Sequence, residues 1–385
     1  MSESIERFRV EVPDAVLRDL RERLGRARFP DQIEGAGWDY GTELHYLREL
    51  CEYWREKFDW RAQEAALNRF DQFTTEIDGQ RVHFIQQRSK EKNALPLLIT
   101  HGWPGSVFEF HKILGPLTDP AAHGGDARDA FHVVCPSMPG YGFSGPTRER
   151  GWDVRRVAET EAKLMARLGH ARYGAQGGDW GAIVTTQLGL LDAAHVAGIH
   201  LNMVVAGPPP GVANPAEGLS PKELQALADM GAFQKIETGY QQIQGTKPQT
   251  LGYGLNDSPV GLAAWIVEKF RTWSDCGGDV ERRFTKDELL TNVMIYWVTQ
   301  TIGSSVRLYC ETMRSGRFGP ADARVEVPTG CAIFPKEIIR PPRRWAEARF
   351  NVKRWTEMPA GGHFAALEEP ERLVDDVRAF FREVR

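Results

Sequence analysis

The feature that most constrains the fold is a series of strand signals that alternate with helix signals between residues 95 and 203. Residues 95–100 form a continuous apolar run, which is typical of a strand buried on both faces of a sheet. A helix is predicted over residues 107–117, and a later one begins after the N-cap Asp153 and ends at Gly169. Further strands are predicted at residues 131–135, 172–176 and 196–203. This alternation predicts an α/β fold with a mostly parallel, doubly wound sheet.

The segments outside this series carry different signals. The N-terminal segment shows two apolar helical stripes, at residues 17–24 and 44–58, which need a larger surface to cover them. A hairpin turn at residues 78–79 opens the core, and a helix from Pro370 closes it. Between these, capping boxes beginning at Ser220 and Thr285 predict a helical insertion without strands. The predicted organisation is an N-terminal helical meander packing on the core (1–72), the first part of the core (73–206), a helical cap (207–323) and the second part of the core (324–385).

Composition excludes several classes of function. A net charge of -4 and a sequence pI near 6.2 provide no basic surface for nucleic acid or anionic lipid. Five cysteines are scattered without a CxxC pair, which argues against a disulfide framework and a zinc site. The first residues lack the pattern of a signal peptide, and no run reaches the ~18 apolar residues that span a bilayer. We therefore expect a cytoplasmic protein with no nucleic-acid partner and no membrane anchor.

The stretch at residues 173–184 places Asp179 at a predicted transition from strand to helix. Glycines on both sides, Gly178 and Gly181, leave room for a sharp turn that pushes the intervening side chain out of the sheet. Serine is the usual residue at such an elbow, so a carboxylate there suggests different chemistry. The alternative is that Asp179 only caps the following helix.

Two later residues favour the catalytic interpretation of Asp179. Glu337 and His363 each follow a predicted strand, and reactive groups of a parallel sheet lie at the carboxyl ends of its strands. The order nucleophile, acid, histidine matches the α/β-hydrolase fold, in which a helical cap is inserted as at residues 207–323 here. Taken separately, a glutamate after a strand is usually solvated, and a loop histidine usually lies on the surface.

A carboxylate nucleophile predicts an ester intermediate. Serine attacking an sp3 carbon would leave an ether, whereas Asp179 would leave an ester with a carbonyl that water can attack. His363 would activate that water, and Glu337 would orient and stabilise the imidazolium. The backbone N–H groups of Trp103 and Trp180 are predicted to form the oxyanion hole.

The residues that assist the leaving group are less well determined by spacing. A halide needs only N–H donors, but an epoxide oxygen must also receive a proton, for which tyrosine is suited. The insertion offers Tyr240 and Tyr309, with Tyr253 and Tyr296 as competitors that spacing does not exclude. A helical tyrosine is also commonly a packing residue.

Specific motifs along nearly the whole chain resemble the microsomal-type epoxide hydrolase family, which includes juvenile hormone and fungal epoxide hydrolases. The motifs lie at residues 8–10, 28–31, 101–106, 177–181, 244–250, 256–264 and 361–366. The resemblance implies an α/β-hydrolase fold, the triad Asp179, Glu337 and His363, and Tyr240 and Tyr309 as proton donors. Trp103, Trp180 and Phe364 are predicted to contact the substrate. Mammalian members have a membrane anchor, which we do not expect here.

The resulting hypothesis is an epoxide hydrolase that uses water, an epoxide and no metal or organic cofactor. A haloalkane dehalogenase is the nearest alternative, since it shares the aspartate nucleophile and the tryptophan that follows it. A ligand-binding protein that keeps the fold without turnover is an alternative of another class. The oligomeric state is left open, with a homodimer as one candidate.

Overall fold

The computed structural model describes residues 4–317 and 323–385. The strands in these ranges are β1 (Glu6–Phe8), β2 (Gln72–Ile77), β3 (Gln80–Gln87), β4 (Leu95–Thr100), β5 (Phe131–Pro136), β6 (Tyr173–Gly177), β7 (Val196–Leu201), β8 (Val325–Ile333) and β9 (Phe350–Glu357). The helices are α1 (Asp14–Gly25), α2 (Leu44–Glu56), α3 (Trp60–Leu67), α4 (Leu114–Thr118), α5 (Val154–Arg167), α6 (Asp179–Leu191), α7 (Pro221–Ile236), α8 (Gly239–Thr246), α9 (Pro248–Asp257), α10 (Pro259–Trp273), α11 (Lys286–Thr299), α12 (Ile302–Arg314), α13 (Arg343–Arg349), α14 (Ala365–Glu368) and α15 (Pro370–Arg382).

All of these strands belong to one sheet, in the order β1-β2-β3-β5-β4-β6-β7-β8-β9. The strands β5, β4, β6, β7, β8 and β9 are parallel, while β1, β2 and β3 form an antiparallel edge. The predicted mostly parallel, doubly wound sheet is therefore present. Strand order reverses around β4, whose neighbours are β5 and β6. A crevice forms at such a reversal, beyond the carboxyl ends of the strands, and this is where ligands bind in open α/β sheets.

The N-terminal segment contains two elements that the sequence pattern did not predict. Strand β1 pairs antiparallel with β2, and α3 lies between the predicted second helix and the hairpin. The segment also contacts the cap, because the hydroxyl of Tyr53 donates to Asp287 at 2.9 Å and that of Thr42 donates to the carbonyl of Ala264 at 2.7 Å. The N-terminal segment therefore contacts both the cap and the sheet.

Three helices of the cap, α7, α10 and α11, begin directly after a serine or threonine N-cap, and the predicted capping boxes are present. Ser220 and Thr285 form capping boxes with Glu223 and Glu288, and Ser258 accepts the N–H of Gly261. Helix α12 packs against α8 and α9. The cap boundaries remain a prediction, and the stretch 318–322 near the predicted end lies outside the described residues.

One predicted helix is wrong. A single helix was expected over residues 107–117, but the structure has a 3-10 turn at Val107–Phe110 and then the short helix α4. Pro116 lies inside the expected helix, and a proline there removes a hydrogen bond and clashes with the preceding turn. Among the residues that the structure describes, there is no helix with the length and apolar character that a bilayer crossing requires.

Candidate active site

Asp179 lies on a strained turn between β6 and α6. Its φ angle is +50°, in the left-handed region that non-glycine residues rarely adopt. The glycines around it allow the close approach of backbone: a Cβ at Gly181 would lie 1.9 Å from the carbonyl oxygen of Thr100, and one at Gly177 would lie 2.2 Å from that of Gly181. Helix α6 begins at Asp179 itself, with Gly178 as its N-cap. The side chain of Asp179 makes no N-cap hydrogen bond there, so the capping alternative loses its basis.

The turn after β4 holds one oxygen of the Asp179 carboxylate. The backbone N–H of Trp103 donates to Oδ1 of Asp179 at 2.7 Å. Gly102 makes this approach possible, because a Cβ at that position would lie 2.1 Å from the same oxygen. The Trp103-Pro104 peptide bond is cis. The second predicted donor, Trp180, is buried at the first turn of α6.

His363 connects the two carboxylates that were predicted with it. Its Nδ1 lies 2.7 Å from Oε1 of Glu337, and its Nε2 lies 3.3 Å from Oδ2 of Asp179. The side chains of His363 and Glu337 are 2% and 1% exposed, so solvent screens this pair very little. Glu337 lies 158 positions after Asp179 in the sequence, and His363 lies 26 positions after Glu337. The structure thus brings together three residues that are far apart in sequence.

Opposing effects set the protonation of His363. Burial alone would lower its pKa, but the charge of Glu337 and hydrogen bonds to Asp179 and Glu337 outweigh burial and hold the pKa well above the ordinary value. The resting imidazole is therefore protonated. Esterification of Asp179 would remove one of the two negative charges, which would lower the pKa of His363 and favour the neutral base.

Tyr240 on α8 and Tyr309 on α12 face the core turns from the cap. Their ring centroids are 6.0 Å apart. Tyr240 stacks on Trp103 at 5.5 Å, and Tyr309 packs edge-on against Trp180 at 4.5 Å. Burial and the charge of Asp179 raise the pKa of Tyr240 above the ordinary value. Burial, Tyr240 and Asp179 raise that of Tyr309, so both phenols carry their protons.

The competing tyrosines have other surroundings. Tyr253 is 70% exposed on α9. Tyr296 is buried, and its hydroxyl donates to the carbonyl oxygen of Gly105 at 2.5 Å. Phe364, a predicted substrate contact, stacks on Phe270 with centroids 4.0 Å apart, so its ring takes part in packing between cap and core.

The loop that carries His363 is attached to the cap by contacts that we call the cap clamp. The N–H of His363 donates to the carbonyl of Trp273 at 3.0 Å, and the N–H of Gly361 donates to Oδ2 of Asp275 at 3.0 Å. Glu368 accepts the N–H of Asp275 at 2.7 Å. His363 is thereby held by both the core and the cap.

Two residues near the site were missed by the sequence analysis. Trp273 packs edge-on against the ring of His363 with centroids 5.0 Å apart. Lys269 is buried, with its Nζ 4.6 Å from the ring centroid of Tyr240 and 2.6 Å from Oε2 of Glu268. Both belong to α10, whose helical pattern alone does not distinguish a site residue from a packing residue.

Two family models match the chain. The model described as epoxide hydrolase N terminus matches residues 5–110. The model described as alpha/beta hydrolase fold matches residues 95–256. Together they cover the N-terminal segment, the turn after β4, the elbow and the first part of the cap.

Relatives match over almost the whole length. A protein from Stigmatella aurantiaca is 48% identical over 98% of this chain and 85% of its own length. Epoxide hydrolase 1 from Oryctolagus cuniculus is 41% identical over 98% of this chain and 89% of its own.

Solved structures match equally completely. Juvenile hormone epoxide hydrolase from Bombyx mori superposes with a TM-score of 0.92 at 34% identity, over 100% of this chain and 95% of that one. An epoxide hydrolase from Aspergillus niger has a TM-score of 0.90 at 34% identity, over 99% and 97% of the two chains. The likeness in sequence and the likeness in structure thus point to the same group of proteins.

Proposed function

The chain belongs to the epoxide hydrolase family, and we propose that it converts an epoxide to a vicinal diol through an alkyl ester on Asp179. The observation that carries this proposal is the hydrogen-bonded series Glu337, His363 and Asp179 at a strained elbow, opposite two buried tyrosines. A carboxylate held in this way is suited to attack an sp3 carbon. The tyrosines supply the proton that an epoxide oxygen needs.

In the first step, the Asp179 carboxylate attacks an epoxide carbon. We assign the attack to Oδ2, because Oδ1 accepts the N–H of Trp103. The carbon–oxygen bond of the ring breaks, and Tyr240 or Tyr309 gives its proton to the leaving oxygen. The products are a hydroxyalkyl ester and a tyrosinate. The proton of the His363 imidazolium then restores the tyrosine, which leaves His363 as the neutral base. Because the reacting carbon is held against the nucleophile, positioning contributes much of the rate.

In the second step, water attacks the Cγ atom of the ester. His363 takes one proton from the water, and the N–H of Trp103 stabilises the oxyanion on Oδ1, for which one such donor contributes ~2.7 to 4 kcal/mol. The bond from Cγ to the alkyl oxygen then breaks, and the imidazolium protonates that oxygen. The other water proton passes from the new carboxyl group to His363, which restores the imidazolium and the carboxylate. Each group thus returns to its starting state.

The substrate should be an apolar epoxide. The site is bounded by the aromatic rings of Trp103, Trp180, Tyr240, Trp273 and Tyr309, which favour hydrocarbon or aryl substituents over charged ones. Lipid, terpene and arene epoxides are the candidate classes. We also propose a cytoplasmic enzyme, with a homodimer as one assembly to test.

A single turnover in heavy-oxygen water tests the ester route. Label should appear first in Asp179 and not in the diol, since the water oxygen enters the carboxyl group. His363→Gln should trap the ester, which is detected as an added substrate mass on the intact protein. Label that enters the diol directly would rule out this route.

A further inference from the structure

A small cavity adjoins the catalytic residues on the core side of the site. Its volume is about 20 Å³, and Gly105, Glu109, Asp179, Asn202 and His363 are among its lining residues. A water molecule needs roughly 10–15 Å³ of such volume and two to four polar partners. The cavity therefore has the size and polarity for one water molecule next to the ester carbon and the base.

Glu109 is the second carboxyl group that lines this cavity, besides Asp179, and the steps above do not use it. It lies on the 3-10 turn Val107–Phe110, directly after the turn that binds Asp179. Its side chain folds back over Gly105, where a Cβ would lie 1.4 Å from Oε1 of Glu109. Since the φ angle of Gly105 lies outside the left-handed region, its lack of a side chain matters for this contact and not for backbone conformation. Gly105 thus makes room for the carboxyl group.

Burial raises the pKa of Glu109 to about 8, with a further contribution from the charge of Asp179 that the charge of His363 opposes. Glu109 is therefore a neutral acid at neutral pH. A neutral carboxyl group keeps a carbonyl oxygen that accepts hydrogen bonds, without adding a third negative charge beside the nucleophile.

We propose that Glu109 and His363 together hold the hydrolytic water in this cavity. The inference rests on the proposed ester route. His363 accepts one water hydrogen and later removes it as a proton, while the Glu109 oxygen accepts a hydrogen bond from the other, which stays on the water oxygen during attack. The water lone pair is then directed at Cγ of Asp179. Glu109 acts only in the second step, because no water reacts in the first.

The test is rapid-quench kinetics that separate ester formation from ester hydrolysis. Glu109→Met keeps the length of the side chain but removes its oxygens, so ester hydrolysis should slow by about 10- to 100-fold, the effect of one buried hydrogen bond. Ester formation should be unchanged, and ester should accumulate on the protein. Glu109→Gln retains an acceptor oxygen and should recover most of the lost rate. Equal loss in both variants, or equal slowing of both steps in Glu109→Met, would overturn the proposal.

Glu161 provides a matched control. Glu161 is also a buried carboxyl group, and burial raises its pKa to about 8. It accepts a hydrogen bond from the hydroxyl of Thr100 and does not line the cavity. Glu161→Met should lower stability and leave the hydrolytic step unchanged. A comparable loss of hydrolysis in this variant would show that the Glu109 effect is structural and contradict the proposal.

Gly105 allows a second approach. Gly105→Ala would place a methyl group where the Glu109 carboxyl group lies and should slow hydrolysis as Glu109→Met does. The double variant should be no slower than Glu109→Met, because both changes remove the same contact. Additive losses would contradict it. The variant His363→Gln separates the two proposals. If no ester accumulates in His363→Gln, the ester route is refuted. If ester accumulates in His363→Gln but not in Glu109→Met, only the role of Glu109 is refuted.

Discussion

The Nδ1 atom of His363 lies 2.7 Å from Oε1 of Glu337, and this contact contributes to the raised pKa of the histidine. Glu337→Gln removes the charge but keeps the shape, so the pKa of His363 should fall. Ester hydrolysis should slow by about 10²- to 10⁴-fold, because the base loses its charged partner. NMR titration of the histidine, identified by comparison with His363→Gln, measures the first effect. Glu326→Gln, at an exposed position, should change neither; an unchanged titration in Glu337→Gln would refute the electrostatic account.

Removing the two cap tyrosines should slow formation of the ester. Tyr240→Phe with Tyr309→Phe leaves the epoxide oxygen without a proton donor, and ring opening should fall by about 10²- to 10⁴-fold. Stopped-flow fluorescence can follow this step through the tryptophans beside the tyrosines. The exposed Tyr253 offers the control Tyr253→Phe, which should behave as the unaltered enzyme. Halide release from chloroalkanes that survives in the double variant would favour the dehalogenase alternative.

The elbow should not tolerate a methyl group. Gly181→Ala places a Cβ against the backbone carbonyl of Thr100, and overpacking of this kind costs about 1–3 kcal/mol or more of unfolding free energy. Gly231→Ala is the matched control, because Gly231 lies in α7 with no atom within 4 Å of the added Cβ. That change should stabilise the helix by about 0.5–1 kcal/mol. Urea unfolding measures the stability of both variants. Equal stabilities would mean that the close approach of Gly181 to the carbonyl of Thr100 is unimportant.

A buried carboxylate on α15 should control stability in acid. Burial would raise the pKa of Asp376, but bonds from His200, Thr356 and Arg354 hold it at about 2, below the ordinary value of 3.8. Its contribution to stability is therefore present above about pH 4 and lost as the pH falls towards 2. Asp376→Asn should cost about 3–5 kcal/mol at neutral pH and reduce this acid dependence. Asp375→Asn, at a position 77% exposed, should have little effect on thermal unfolding at any pH.

Local sequence patterns predicted the buried strand β4 and the starts of helices α7 and α11. The apolar run 95–100 and the capping boxes at Ser220 and Thr285 all correspond to observed elements. Strand β1 was missed because three residues are too few for a pattern, and its partner β2 lies more than sixty positions away. The expected helix at 107–117 is interrupted because Pro116 removes a helical hydrogen bond and clashes with the preceding turn.

Some residues of the candidate site were predictable from local sequence, and others depend on tertiary contacts. Asp179 and His363 were visible because glycines mark their turns, and Glu337 was visible through its place in the order of strands. Tyr240 and Tyr309 could not be separated from Tyr296 by spacing, since only tertiary packing shows which hydroxyl is already bonded to backbone. Glu109 depends on a contact with Gly105 that has no signature in composition or period.

The cap clamp limits how substrate can enter and product can leave. The carbonyl of Trp273 binds the backbone of His363, so a cap that swung away as one rigid lid would take this support from the base in every catalytic cycle. A route that leaves α10 in place avoids that disturbance. Helix α7 buries only Ala226 of its own residues, so moving α7 should cost less free energy than moving α10, which buries nine. We therefore expect substrate and product to pass beside α7 while the contacts of the cap clamp stay in place.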